Sequence, residues 1–252
     1  LSLDDYDNKK LISVEQWGNQ RWRNFRSMFF ECENVTIDAS DQPDTSRVQD
    51  FSQAFYRAHK VNFDASLWDT SSATAMERMF FEASGFDHNI NDWVVSNVTD
   101  MHRMFQGATK FNQPLNDWDM RQVQDITGMF QQASSFNQPL SNWEFEQLIS
   151  MENLFFNASQ FNQDISQWNL ANVTSLDSVF SHANSFNQNL NAWDVSKVTN
   201  FDRTFRTSTS FDQNLNEWQV GQAETMSQML ENTALSTENY DALLIGWSSQ
   251  ML

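Results

Sequence analysis

Trp68, Trp93, Trp118, Trp143, Trp168, Trp193 and Trp218 follow one another at intervals of 25 residues without a single slip. Self-similarity at a fixed period marks a stacked-repeat architecture, and it constrains this chain more than any local motif does. Phe55, Phe80, Phe105, Phe130, Phe155, Phe180 and Phe205 keep the same interval, and Leu230 takes the next place. Phe86, Phe111, Phe136, Phe161, Phe186 and Phe211 form a third column, and Ala58, Ala83, Ala108, Ala133, Ala158 and Ala183 a small-residue one. Ile90, Leu115, Leu140, Ile165, Leu190 and Leu215 precede each Trp by three residues. At the N-terminal end Trp22, Phe25, Met28, Phe29, Cys32 and Val35 match Val48, Phe51, Ala54, Phe55, Ala58 and Val61 at a spacing of 26. From Phe29 to Leu230 the array counts nine repeats.

Within one repeat, Val98, Met101, Met104, Phe105 and Ala108 form an apolar stripe at helical spacing, which predicts a helix of two to three turns. Ser96 or Thr99 can cap its start. Phe111 to Leu115 reads as a short extended segment, Asn116 and Asp117 turn the chain, and Trp118 and Met120 return it to the core. Such a unit cannot bury its apolar face alone, whereas stacked copies share one continuous core. The expected fold is α/β: a right-handed solenoid of about nine repeats, each a short helix plus a short parallel strand, with terminal caps. Pro114 and Pro139 lack a ladder N–H, so about three paired residues per repeat are expected. Three segments follow: 1–21 as an N-terminal cap or linker, 22–234 as the array, and 235–252 as a C-terminal capping helix. Leu11, Ile12 and Trp17 are the N-terminal capping candidates, and Asp4, Asp5 and Asp7 read as a solvated start. Ser236 or Thr237 can cap a final helix carrying Tyr240, Leu243, Leu244 and Trp247.

Composition removes several function classes. With 33 acidic against 15 basic residues the net charge is −18, which repels phosphate backbones and argues against nucleic-acid binding. One Cys and six Gly leave no disulfide framework, no Cys-based zinc site and little for a phosphate loop. No apolar run is long enough to span a bilayer, so no membrane insertion of this segment is expected. Cys32 falls in the small-residue column and reads as a core residue. His59, His88, His102 and His182 sit at different places in the repeat and show no ligand spacing. Asp117 with Asp119, and Glu144 with Glu146, could offer oxygens to calcium but do not recur as a full ligand set, so a solvated edge is the expectation. No catalytic constellation stands out, and neither an enzyme activity nor a cofactor nor a metal is expected.

The polar columns carry the binding candidates. Asn112, Asn137, Asn162 and Asn187 are expected to form a structural ladder that satisfies backbone groups in Gly-poor turns. Gln113, Gln138, Gln163, Gln188 and Gln213 follow them directly, and ladder and binding surface both remain open for these longer side chains. Beside them stand Asn89, Pro114, Pro139, Asp164, Asn189 and Asn214, which vary between fixed neighbours. The Trp column reads as a core stack before it reads as a sugar platform.

The repeat Val98-x-x-Met101-x-x-Met104-Phe105-x-x-Ala108-x-x-Phe111-Asn112-Gln113-x-Leu115-x-x-Trp118 resembles the BspA-like leucine-rich-repeat surface proteins, in the variety first noted in mycoplasma lipoproteins. The likeness covers residues 22–234, and repeat 1 departs from it with Gln42 in the Trp place. Leu235 to Trp247 is similar to the segment that closes such arrays in surface proteins of marine Bacteroidetes. The resemblance implies a leucine-rich-repeat-like, non-enzymatic module, extracellular or at the cell surface, often an adhesin in a longer chain; the strand side of the solenoid is the expected contact face, for a glycan or a protein. A rigid spacer with no ligand of its own is the alternative. A chain beginning at Leu1 is expected either to have lost a leader or to be a piece of a larger protein.

Overall fold

The computed structural model describes residues 8–250. Asp4, Asp5 and Asp7 lie outside them. The element order is a 3-10 turn (Asn8–Lys10), β1 (Ser13–Val14), β2 (Thr36–Ile37) and α1 (Thr237–Ser248). Between β2 and α1 the chain runs in coils of one repeat each, stacked on one another through backbone and side-chain hydrogen bonds.

The segment read above as a helix takes a different form. In the coil around Phe105, alternate N–H groups point along the stack. Met101, Arg103, Phe105 and Gly107 donate to the carbonyls of Asp125, Thr127, Met129 and Gln131 in the next coil, at 2.8–2.9 Å. The intervening N–H groups of Met104, Gln106 and Ala108 close tight turns onto Met101, Arg103 and Phe105. Arg103 and Gly107 take φ of 55° and 71°, and two such positive-φ places recur in every repeat, from Ser27 and Glu31 to Gln228 and Asn232. The physical reason lies in the stacking. A helix satisfies its N–H groups within itself, whereas this succession of turns shares half of them with the neighbouring coil, so each coil is bonded to the next.

The strand also lies elsewhere. Residues 111–115 carry no strand pairing. Single parallel bridges instead join Asp50, Ala75, Asp100, Asp125 and Ser150 in series, and then Ser175, Asn200 and Thr225. One residue is bridged per coil in place of the three expected.

The core is a set of ring columns. Phe80, Phe105, Phe130, Phe155, Phe180 and Phe205 stack with centroids 5.4–5.8 Å apart. Each also lies 3.8–4.2 Å from the second Phe of its own coil, as Phe105 does from Phe111. Parallel offset pairs of this kind add about 0.5–1.5 kcal/mol each beyond area burial. All seven periodic Trp are buried, at 0–3% exposure, so none offers a sugar-stacking face. Ala58 to Ala183 and Cys32 are fully enclosed where the coils approach closely.

Both ends of the stack are covered on one side. β1 pairs in parallel with β2, and Asp41 accepts the N–H groups of Trp17 and Gly18. Trp17 packs edge-on against Trp68 at 5.7 Å, filling the gap left where repeat 1 has Gln42. Leu11 lies partly buried against the core while Ile12 is exposed. At the other end Ser236 caps α1 by accepting the Asn239 N–H. Leu243 and Trp247 are buried, and Trp247 donates to the Leu215 carbonyl as Trp218 donates to that of Leu190 one coil earlier.

Candidate functional site

The Asn column forms a continuous ladder. Each side-chain oxygen accepts the backbone N–H of its counterpart one coil on: Asp87 from Asn112, Asn112 from Asn137, Asn137 from Asn162, Asn162 from Asn187, and Asn187 from Asp212, all at 2.9 Å. Asp212 passes the ladder to the cap, accepting the Ser236 N–H and hydroxyl and the Asn239 amide. Those bonds, the Ser236 N–H first, hold its carboxyl below the usual carboxylate range.

The Gln column is drawn into the same ladder. Gln113, Gln138, Gln163, Gln188 and Gln213 each donate Nε2 to the ladder oxygen of the preceding coil, at 2.9–3.2 Å. Half of each amide is thus structural. The carbonyl half accepts no hydrogen bond among the described residues and stands at the half-exposed rim. The next column serves turns: Asn89, Asp164, Asn189 and Asn214 each accept the N–H two residues on, at 2.9 Å. Pro114 and Pro139 hold the same place by their fixed φ. A second side-chain ladder escaped the sequence reading: Asn91, Asn116 and Asn191 accept the N–H groups of Asp117, Asn142 and Glu217. Its signal was the small polar residue at this place in every repeat, Ser66, Asn91, Asn116, Ser141, Ser166, Asn191 and Asn216.

Besides a groove of about 360 Å3 at Asn116, Asp117, Asn142 and Glu144, these columns border an open polar groove of about 490 Å3, lined by Asp164, Ser166, Gln167, Gln188, Asn189, Asn191, Ala192 and Glu217. Its cause is local. The place held by Leu67, Asp92, Asp117, Asn142, Gln167 and Glu217 in other repeats is held by Ala192 here, and the missing side chain leaves a depression between Gln167 and Glu217. The groove gathers Gln188, Asn189 and Asp164 from among the expected candidates. Gln113, Gln138, Gln163, Gln213, Asn89 and Asn214 do not line it. Carboxylates and amides form its wall, which suits hydrogen bonding to hydroxyl or amino groups.

The acidic edge is occupied from within the chain. Arg121 grips Asp119 through two bonds of 2.9 and 2.6 Å and lies close enough to Glu146 and Glu144 to feel their charge. Among the described residues no group of three or more His, Cys, Asp or Glu side chains could hold a metal ion. His59 and His102 meet the Glu82 carbonyl and the Asp125 carboxylate, and His182 lies against the Phe156 ring. Among the same residues no helix is long and apolar enough to cross a membrane.

Coils of 25 residues after a first of 26, joined by side-chain ladders and ring columns, define a tandem-repeat protein. A family described as "Mycoplasma protein of unknown function, DUF285" matches residues 23–143 and again 128–243, and the chain belongs to that family. A search of curated proteins gives no match.

Proposed function

We propose that this chain is a non-enzymatic binding module of the BspA-like leucine-rich-repeat kind, a right-handed solenoid acting at the cell surface or outside the cell within a longer protein. The groove over Ala192 carries the reading, because a wall of amides and carboxylates matches a neutral, hydroxyl-bearing glycan or the basic face of a protein. The net charge of −18 narrows the partners to the same two classes.

Glycan and protein arrays probed with the native chain, with Ala192→Trp and with Gln188→Ala test it. Retained ligand with the native chain, lost on filling the groove at unchanged melting temperature, supports the module. No retention on either array leaves the rigid spacer. That second reading draws on the Gln amides, whose Nε2 groups brace the stack.

A further inference from the structure

Inside the array, Met76, Arg78, Phe80 and Glu82 donate their N–H groups to the carbonyls of Asp100, His102, Met104 and Gln106. The last coil carries the same four donors at Met226, Gln228, Leu230 and Asn232, and the first coil the same four acceptors at Asn24, Arg26, Met28 and Phe30. Among the described residues neither row has a backbone partner. The two ends therefore present matching rows of opposite polarity in one register.

Apolar surface matches as well. The first coil opens a groove of about 240 Å3 lined mainly by Leu11, Val14, Trp17, Trp22, Met28 and Phe29. The last coil offers Met226 and Leu230, partly buried, in the columns that inside the array stand over Phe25 and Phe29. The caps leave these faces open because both cover the other half of the coil. Ile12 and Val14 accept the N–H groups of Thr36 and Asp38, while α1 lies along residues 212–220 through Asn239, Trp247 and Gln250.

We propose that the ends are complementary halves of one coil, that the C-terminal end of one copy fits the N-terminal end of a second, and that α1 prevents the union. In the joined coil, residues 226–232 supply the turns and the second copy's residues 8–18 supply the remainder. α1 holds that place. A helix is about 10 Å across where coils stack at about 4.8 Å, so helix and incoming segment cannot both fit. A head-to-tail contact of this kind leaves one unused end on each terminal copy, so releasing α1 turns a monomer into an assembly that grows copy by copy. An open donor row is a hazard for any sheet-like edge, and α1 guards it indirectly.

Two full-chain variants release α1. A Cβ at Gly246 would overlap the Asn216 carbonyl oxygen and lie 2.9 Å from its Cα, so Gly246→Leu forces the helix away. The double variant Leu243→Asp/Trp247→Ala removes its two buried anchors. Sedimentation should show a constant mass for the native chain and a mass at least doubling with concentration for both variants. Adding Leu230→Asp should restore the monomer. The proposal is overturned by a folded variant that stays monomeric, by oligomers that persist with Leu230→Asp, or by loss of the fold in both variants, which would make α1 part of the core.

Discussion

Trp143 donates its indole N–H to the backbone carbonyl of Leu115 at 2.8 Å, reaching back 28 residues into the preceding coil. Trp93, Trp118, Trp168, Trp193 and Trp218 each repeat the bond with the residue 28 positions earlier. A column that looks purely hydrophobic is thus also a row of polar bolts. The Trp68 indole N–H, by contrast, is buried without a partner among the described residues, because the coil behind it lacks the regular Trp-bearing turn.

That difference makes a paired experiment. Trp143→Phe keeps a ring but removes one of the two hydrogen bonds that the Leu115 carbonyl accepts, leaving it the Trp118 N–H, so stability should fall by about 0.5–1.5 kcal/mol beyond the loss of ring volume. Trp68→Phe loses ring volume alone and should cost less. Urea denaturation of both variants checks the contrast, and equal losses would show that the bond contributes nothing.

The ladder oxygen at Asn137 accepts both the Asn162 N–H and the Gln163 amide. Asn137→Ala should therefore cost about 1–3 kcal/mol by leaving the part-buried Asn162 N–H and the Gln163 amide without their shared acceptor. Asn137→Asp should be far milder, because Asp87 and Asp212 fill the same role within the array. Thermal melts at neutral pH distinguish the two.

The core was legible because columns of Trp, Phe, Leu and Ala at one period have no other physical meaning. The turns were not. The spacing of Val98, Met101, Met104, Phe105 and Ala108 suits a helix as well as a succession of tight turns, since both bring every third or fourth side chain inward. The usual warning of left-handed backbone is Gly, yet these places hold Arg78, Glu82, Gln132, Asn153 and His182. In the site, Asn112 and its column were readable as a ladder from their turn chemistry. The engagement of Gln113 was not, because a Gln reaches a neighbouring coil only in three dimensions. Ala192 was visible in its column, but its meaning depends on the side chains that flank it in adjacent coils.

Two carboxyls should give opposite pH responses. Burial pushes the Asp100 carboxyl above its ordinary range, despite the His102 N–H that it accepts. Its ionised form costs stability at neutral pH, and that cost fades as pH falls through its folded pKa. Asp100→Asn, the residue type that Asn200 places in the same column, should raise the melting temperature at pH 7, with the gain vanishing in acid. Asp212 is held low by its bonds to the cap, so its contribution is present above the carboxylate range of about 4 and lost below it. Asp212→Asn should lower the midpoint at pH 7, and the gap should close as pH falls. Melts of the three proteins across pH check both signs.

Cys32 is fully enclosed, and burial pushes its thiol up to about 11. The thiolate is the reactive form, so almost none exists at neutral pH. A chromogenic thiol reagent should find no reactive group in the native protein and one per chain in denaturant. Rapid native labelling would remove Cys32 from the core column.

Gly107 sits at a φ of +71°, where an added Cβ would lie 2.9 Å from Glu82 Cγ. Gly107→Ala combines a left-handed backbone with that contact and should cost about 1–2 kcal/mol. Gln132 takes φ +61° one coil later in the same column and is exposed. Gln132→Gly relieves the backbone but adds freedom to the unfolded chain, two effects of about 1 kcal/mol that nearly cancel. Denaturation midpoints should drop for the first variant and barely move for the second. A clear loss on Gln132→Gly would mean that the Gln side chain supports the stack, in addition to the backbone turns that every repeat shares.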